Sequence, residues 1–556
     1  MPDWMRGSRF ERDAFQVPVE DCQFPVMAGG VPVVAAYSFV IAAPSAATAS
    51  HEKFMTFPSA ASENLGPRRN VARRLWFVLV VIHRYLGVVL GLLMLAWFTS
   101  GIVMMYVPYP QRGESERTAA LAPIPWSRCC NFAGVPLAGG NLIEAAQVEN
   151  VADQPVLRLR SDGKQIIAGL TAGQVLAIGD AEAKRIAEIS AERIIGSVPA
   201  ILSAEKIEND QWTVGDNSVG RRPLYRFAFD HPDATRLYIS SITGEVVVWT
   251  TRGQRFWNWL GAVPHWLYFT EFRRNGALWV QTIIWTSLLG TFLTVIGLYL
   301  GIARFRTGRD GRLSPYYGWF YWHHLTGLFF GIVTLTWVMS GLFSMQPWGF
   351  LEGAGGNERQ RLAGAYPQWA QVQTSLDAIR GRFTGDVVSV RAAPFGGNLF
   401  WLATGEDGRV VRLDERGNPA PITQDDLANA TQLLAGERGI ESASLLHEED
   451  AYYFRFQGFA ERDPLVLPVY RIALNDEERT RYYLDPSTGA LLLRVDGAER
   501  GYRWLFNGLH RWDFTATLRA RPLWDIVVLF LMLGSTAGVL TGVYLGVRRI
   551  RLDLGA

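Results

Sequence analysis

The sequence has little cysteine and little charge. Three cysteines in 556 residues, Cys22, Cys129 and Cys130, are too few for a disulfide framework, a four-thiolate zinc site or a thiolate-held iron–sulfur cluster. Cys129 and Cys130 are adjacent, a poor geometry for a bridge, and no role is assigned to them. Charged residues make up 19% of the chain, below the roughly 25% of soluble domains. Fifty-four basic residues face 52 acidic ones, a net charge of +2, so the basic face that nucleic acid requires is missing. No glycine-rich loop joins a strand to a helix, and there is no catalytic triad or metal-binding thiol pair, which removes the usual nucleotide-binding and hydrolase signatures.

Apolar residues are what the chain has in quantity. They make up 49% of it, with 20 Trp, a residue enriched at membrane–water interfaces. The length allows three to four domains at about 150 residues each. Four stretches, Trp76–Tyr106, Leu278–Ala303, Trp319–Trp348 and Leu523–Val547, reach the roughly 20 apolar residues that cross a bilayer as a helix. Only His83, Arg84, His323 and His324 place titratable groups well inside a span, and Asp525 stands at the edge of the fourth.

Basic clusters orient the spans. Arg68, Arg69, Arg73 and Arg74 precede the first, Arg304, Arg306, Arg309 and Arg312 fill the 304–318 link, and Arg548, Arg549 and Arg551 follow the fourth. Both termini and the link are therefore expected in the cytoplasm, with 107–277 and 349–522 outside. Arg273, Arg274, Arg519 and Arg521 on the outer flanks weaken the bias without reversing it. Residues 1–70 read as a disordered cytoplasmic extension or as a start codon placed too early, Met55 being available. Their Val31–Ala43 run resembles a signal peptide only faintly, because acidic residues crowd the start.

Self-comparison is the most informative operation. At a shift of 240, His83, Gly87, Gly91, Trp97, Ser100 and Gly101 meet His323, Gly327, Gly331, Trp337, Ser340 and Gly341. At a shift of 245, residues 223–306 lie on 468–551 without a gap. Thr243-Gly244 then meets Thr488-Gly489, His265 meets His510, Arg274 meets Arg519, and Leu278-Trp279 meets Leu523-Trp524. The chain is two parallel copies of span, outer segment and span, related by an axis along the membrane normal, so equivalent residues sit at equal depth and face one another.

Four of the eight histidines fall into two such pairs. His83 and His323 lie about two turns into their spans, roughly 10 Å deep. His265 and His510 lie on the outer side in aromatic, amphipathic surroundings, RFWNWLGAVPHWLYF and GYRWLFNGLHRWDF, as expected of interfacial helices. Ionisable groups inside a bilayer are costly and tend to be functional, and two facing imidazoles suit the axial positions of one haem iron. Two haems near opposite faces of the membrane are therefore expected. Gly87, Gly91, Gly327 and Gly331 clear one helix face beside each inner histidine, either for close helix packing or for a flat macrocycle. His324 is an alternative ligand to His323. Arg84, Arg274 and Arg519 are candidates for haem propionates, the last two equally for topology-setting charge. Trp97 and Trp337 line a haem slot or fill the core. His447, beside Glu448, Glu449 and Asp450, reads as part of a solvated acidic turn, and His51 and His231 as surface residues.

Each outer segment carries a helix (Ala181–Ile195; Gln424–Ala435) and strand-like runs, Tyr225–Phe229, Arg236–Ser240 and Glu245–Trp249, matched by Tyr470–Leu474, Tyr482–Leu484 and Ala490–Val495. The Thr-Gly turns between the last two runs are hairpin signals. The fold class expected is an integral membrane bundle of four transmembrane helices in two parallel repeats, with two extracytoplasmic α+β domains.

IHRYLGVVLG and WHHLTGLFFG, opening the odd-numbered spans, together with YYLDPSTGALL, its partner LYISSITGEVV and the terminal GLYLG and GVYLG runs, resemble the PepSY-associated transmembrane family of bacterial inner-membrane proteins. The resemblance covers about residues 70–551. It implies PepSY-like outer domains, two haems b held by His83, His323, His265 and His510, and reduction of a periplasmic ferric chelate such as a ferric siderophore. The outer segments are larger than in compact members, and LYISSITG lacks the Asp-Pro of its partner. The expected activity is electron transfer across the inner membrane to a ferric acceptor, in iron acquisition. Since no flavin or nicotinamide fold is present, a separate donor, a flavoprotein or a quinol, must supply the electrons. A membrane-anchored PepSY binding or regulatory protein without redox activity is the alternative. A transporter fits the parallel repeats but lacks broken helices and a polar midplane site.

Overall fold

The computed structural model describes residues 67–555, except 172, 173, 177, 216, 217, 307–310, 312, 354, 384, 385 and 456–464. The extension ahead of residue 67, with His51, and the link arginines Arg309 and Arg312 lie outside the described residues.

Among the described residues four helices are long and apolar enough to cross a membrane: Val71–Met104, Gly276–Arg304, Gly318–Ser344 and Leu523–Asp553, called here the first to fourth spans. Each is apolar around most of its circumference, as a helix in hydrocarbon must be. Phe329, Ile332 and Phe530 point outward and are mostly exposed. The second span starts behind Asn275, whose side chain caps the Leu278 amide at 3.1 Å. The third stops short of the expected Trp348, because the chain turns through Gln346 (φ 45) into Pro347.

The first span packs on the second and fourth, and so does the third. The first and third therefore face each other diagonally across the bundle, as the repeat requires. Glycines allow the close approaches: a Cβ at Gly91 would lie 2.7 Å from Val543, and one at Gly331 would lie 2.7 Å from Leu298. The interior is filled by Leu90, Met94, Phe98, Leu293, Val333, Trp337, Val338, Trp524, Val528 and Met532.

The described residues of the outer segments form three antiparallel sheets. The first segment contributes β1 (Ala145–Val151), β2 (Gln154–Ser161), β3 (Lys164–Gly169) and β4 (Gln174–Val175), then β5 (Ile201–Ile207), β6 (Leu224–Phe229), β7 (Arg236–Ser240) and β8 (Val246–Thr250). The second contributes β9 (Val387–Ala392), β10 (Trp401–Gly405) and β11 (Val410–Leu413), then β12 (Gly439–Leu446), β13 (Val469–Asn475), β14 (Arg481–Leu484) and β15 (Leu491–Val495). Strands β5 to β8 and β12 to β15 form two four-stranded sheets in chain order. The helix Asp180–Ile195 covers the first and Gln424–Ala435 the second. Their last hairpins turn at Gly244 (φ 65) and Gly489 (φ 79), a backbone region where glycine carries no Cβ penalty.

The third sheet was not expected. Its order is β11-β10-β9-β1-β2-β3-β4, so it takes strands from both outer segments. The seam is β1 against β9, antiparallel, with Val148 opposite Val390. Reading 107–277 and 349–522 as one domain each therefore needs amending, since each segment holds one sheet of its own and part of a shared one. The shared core joins Val148, Leu157 and Leu159 to Val390, Trp401 and the Val372, Leu376 and Ile379 face of helix Trp369–Ile379. Burying each such aliphatic side chain is worth about 1.5–3 kcal/mol, a gain that depends on both segments. Cys129 and Cys130, read as badly placed for a bridge, are joined as a disulfide at the edge of this core.

Candidate functional site

The inner histidines are brought together. His83 on the first span and His323 on the third have ring centres 6.2 Å apart. The outer ones come from short helices, Ala262–Trp266 and Leu509–Arg511, tucked against the outer ends of the first and third spans. Their ring centres are 6.1 Å apart. Along the first span, His83 and Ser100, which touches His265, are 17 residues apart, so the two levels are separated by about 25 Å.

These spacings test the fit of a metal between the rings. A metal–imidazole bond is about 2.0–2.1 Å, and the ring nitrogen lies about 1.1 Å from its ring centre, so two imidazoles on opposite sides of one ion have centres about 6.3 Å apart. Both pairs meet that figure. Among the described residues no group of three or more His, Cys, Asp or Glu clusters as metal ligands, so each pair offers two protein ligands and leaves the remaining positions to a ligand such as a porphyrin. One turn after each inner histidine the helix face is left uncrowded. A Cβ at Gly327 would meet nothing within 4 Å, and one at Gly87 only Leu293 at 3.8 Å. Of the four glycines flagged in the sequence, Gly91 and Gly331 thus serve helix packing, and Gly87 and Gly327 leave room.

In three of the four rings the nitrogens are sorted in the way metal ligation requires. A ligating imidazole donates its other N–H to a fixed acceptor, which sets the tautomer. His265 Nδ1 lies 3.0 Å from Trp97 O and 3.2 Å from Ser100 Oγ. His510 Nδ1 lies 3.0 Å from Ser340 Oγ. His323 Nδ1 lies 3.1 Å from Gly538 O and 3.3 Å from Thr541 Oγ1. With Nδ1–H donating, Nε2 carries the lone pair. Burial pushes the pKa of His265 down to about 4. Burial, with His265 and Arg511 nearby, pushes His510 down to about 3. Both rings are therefore neutral at physiological pH, as ligands must be.

Further contacts lock the rings, and the repeat duplicates them. A Cβ at Gly297 would stand 2.7 Å from His83 Cε1, and one at Gly542 would stand 2.8 Å from His323 Cε1. Only glycine lets each returning span lie against its imidazole. Trp279 Nε1 donates to Trp266 O at 2.8 Å, and Trp524 Nε1 to Arg511 O at 2.7 Å, in each case the carbonyl of the residue after the outer histidine. The sequence showed these glycines and tryptophans as matched pairs but gave them no task; their recurrence at fixed offsets after His265 and His510 was the available signal.

The other candidates separate. His324 has both nitrogens engaged, Nδ1 with Ser314 Oγ at 2.8 Å and Nε2 with Gly301 O at 2.9 Å, so it ties the link to the second span and His323 faces the axis. Arg84 is half-buried beside His83, without an ion-pair partner among the described residues. Arg274 is held by Glu271 at 2.7 Å and Asn209 at 2.8 Å, and Arg519 by Glu449 at 3.3 Å and the face of Phe454. These protein partners leave the two arginines no evident call on a propionate. Trp337 donates to His510 O at 3.0 Å and packs on Phe98, and Trp97 serves through its carbonyl. Around His447, Glu449 and Asp450 are occupied by Arg519, Arg471 and Tyr483. His231 sits in an exposed turn, where it accepts the Asp233 amide at 3.3 Å.

In comparison with known proteins, the chain matches no protein-family model and no curated protein.

Proposed function

We propose that the protein is a haem-carrying oxidoreductase of a bacterial inner membrane that moves electrons across the bilayer to a ferric chelate, such as a ferric siderophore, on the side of the sheets. The observation that carries this reading is the pair of facing imidazole sets, 6.2 and 6.1 Å between ring centres. The motif resemblance to PepSY-associated transmembrane proteins supports it. The basic clusters support cytoplasmic termini and a cytoplasmic link. Haem b, held by His83 with His323 and by His265 with His510, would supply a one-electron couple at each level.

The chain's own residues prepare those positions. Ser100, Ser340 and Thr541 receive Nδ1–H and leave Nε2 of their histidines free to ligate. Leu90, Met94, Phe98, Leu293, Val333 and Trp337 keep water out of the interior between the levels, and a low-polarity surrounding raises the cost of stray charge there. Arg84 stands where a carboxylate at the inner level would find a guanidinium. The electrons come from a separate flavoprotein or quinol, and each one reduces one Fe(III) of the acceptor to Fe(II).

The test is an absorbance spectrum of the detergent-purified chain before and after dithionite, with haem counted per chain. Two b-type haems, with one lost on replacing His83 and His323 and the other on replacing His265 and His510, are expected. A chain that stays free of haem when haem is supplied would overturn the reading and leave a membrane-anchored binding protein.

A further inference from the structure

Three of the four histidines sit in the same bracket. A hydroxyl on a span donates to the carbonyl three residues earlier, and the imidazole Nδ1 faces that hydroxyl. Ser100 donates to Trp97 O at 3.1 Å and meets His265. Ser340 donates to Trp337 O at 3.0 Å and meets His510. Thr541 donates to Gly538 O at 2.9 Å and meets His323. With its proton committed to a carbonyl, each hydroxyl oxygen can only accept, which fixes Nδ1–H on the imidazole.

His83 is the exception. At the shift of 245, Thr541 corresponds to Ile296 and Gly538 to Leu293. Ile296 is buried and has no hydroxyl to offer. The Leu293 carbonyl lies near the His83 ring, yet Nδ1 is buried with no hydrogen-bond partner of acceptable geometry. An unpaired buried donor costs about 1–3 kcal/mol, and a ring without its outer acceptor is both less basic and less firmly aimed.

On the haem reading above, we infer that His83 is the exchangeable ligand of the inner pair and His323 the anchored one, with the residue at 296 and at 541 deciding which is which. The inner level is then the one place where a small exogenous ligand can displace a protein ligand, while the outer pair is closed on both sides. Thr541 and Ile296 act through the imidazoles and are positioning residues.

The probe is carbon monoxide added to the dithionite-reduced full chain in detergent, read as a difference spectrum, with haem counted on the same sample. The wild type is expected to bind CO at one of its two haems. Ile296→Thr should weaken CO binding about tenfold, the lower end of what outer-sphere partners of a ligand are worth, and should lower the midpoint potential of the same haem. Thr541→Val should strengthen CO binding and raise that potential. Two haems per chain with no CO binding, or with CO binding that neither variant moves, would overturn the inference while leaving the haem reading intact. Fewer than two haems in the wild type would overturn both.

Discussion

Gly542 lies flat against the imidazole of His323, where a Cβ would stand 2.8 Å from Cε1. Gly297 does the same for His83 at 2.7 Å. Alanine at either position must push the ring or the returning span aside, an overpacking worth about 1–3 kcal/mol. If the proposed haems are present, Gly297→Ala and Gly542→Ala should each lower the haem content from two towards one per chain, with the spectrum of the outer level unchanged. Gly140, where a Cβ would meet nothing within 4 Å, provides the control: Gly140→Ala should keep both haems.

At the outer level the same logic runs through hydroxyls. Ser100→Ala and Ser340→Ala each remove an acceptor facing His265 or His510. Loss of such a partner typically costs about 10- to 100-fold in metal affinity. On the proposed haem ligation, each variant should therefore release one haem faster to an apo-globin acceptor, and the inner haem should keep its wild-type release rate. The double variant should lose more than either single one.

Away from the membrane, Glu149 on β1 is fully buried between Arg117 at 2.7 Å and Arg158, and Arg158 also donates to the Thr243 carbonyl at 2.6 Å. Burial alone would raise the Glu149 pKa; Arg158 and Arg117 outweigh it and hold the carboxyl below its ordinary value. Breaking a buried pair from one side costs about 3–5 kcal/mol, because the partner charge stays behind. Glu149→Gln should lower the thermal midpoint of the chain and open the outer region to protease.

Glu499 carries the opposite sign. Burial, then the neighbouring Asp496, pushes its pKa up to about 7, with Arg494 pulling the other way. The folded state thus holds a proton that the unfolded chain releases near its ordinary carboxylate pKa. By linkage, this group's contribution to stability is complete below about pH 4 and is lost as pH rises through about 7. Thermal midpoints of the wild type should fall relative to Glu499→Gln between pH 5 and 8. Parallel curves for the two proteins would show that the group does not titrate in this range.

What the sequence made legible followed from signals that are local or repeated. The four spans follow from apolar length, the two four-stranded sheets from matched strand runs ending in Thr243-Gly244 and Thr488-Gly489, and the histidine pairs from the 240 and 245 shifts. The shared sheet left no such mark. Val148 and Val390 are 242 residues apart, and nothing near either valine states its partner, because an edge strand accepts any strand of suitable pattern. The role of Ser314 was hidden for a related reason. Only the folded link carries it to His324, whose two hydrogen bonds remove it from the axis. Ser100 and Ser340 were visible as a matched pair, but a serine in a span more often bonds back to its own helix, and here it does that and serves a histidine as well.

The β1–β9 seam also bears on what each half can do without the other. Cutting the chain in the link between the second and third spans would yield two fragments of comparable length, each with two spans and one end of an unfinished sheet. Each would expose a bare strand edge, β1 on one and β9 on the other, and each would hold one imidazole of every facing pair. The halves are thus mutual templates: what completes the sheet of one fragment also brings in the opposite ring at both levels.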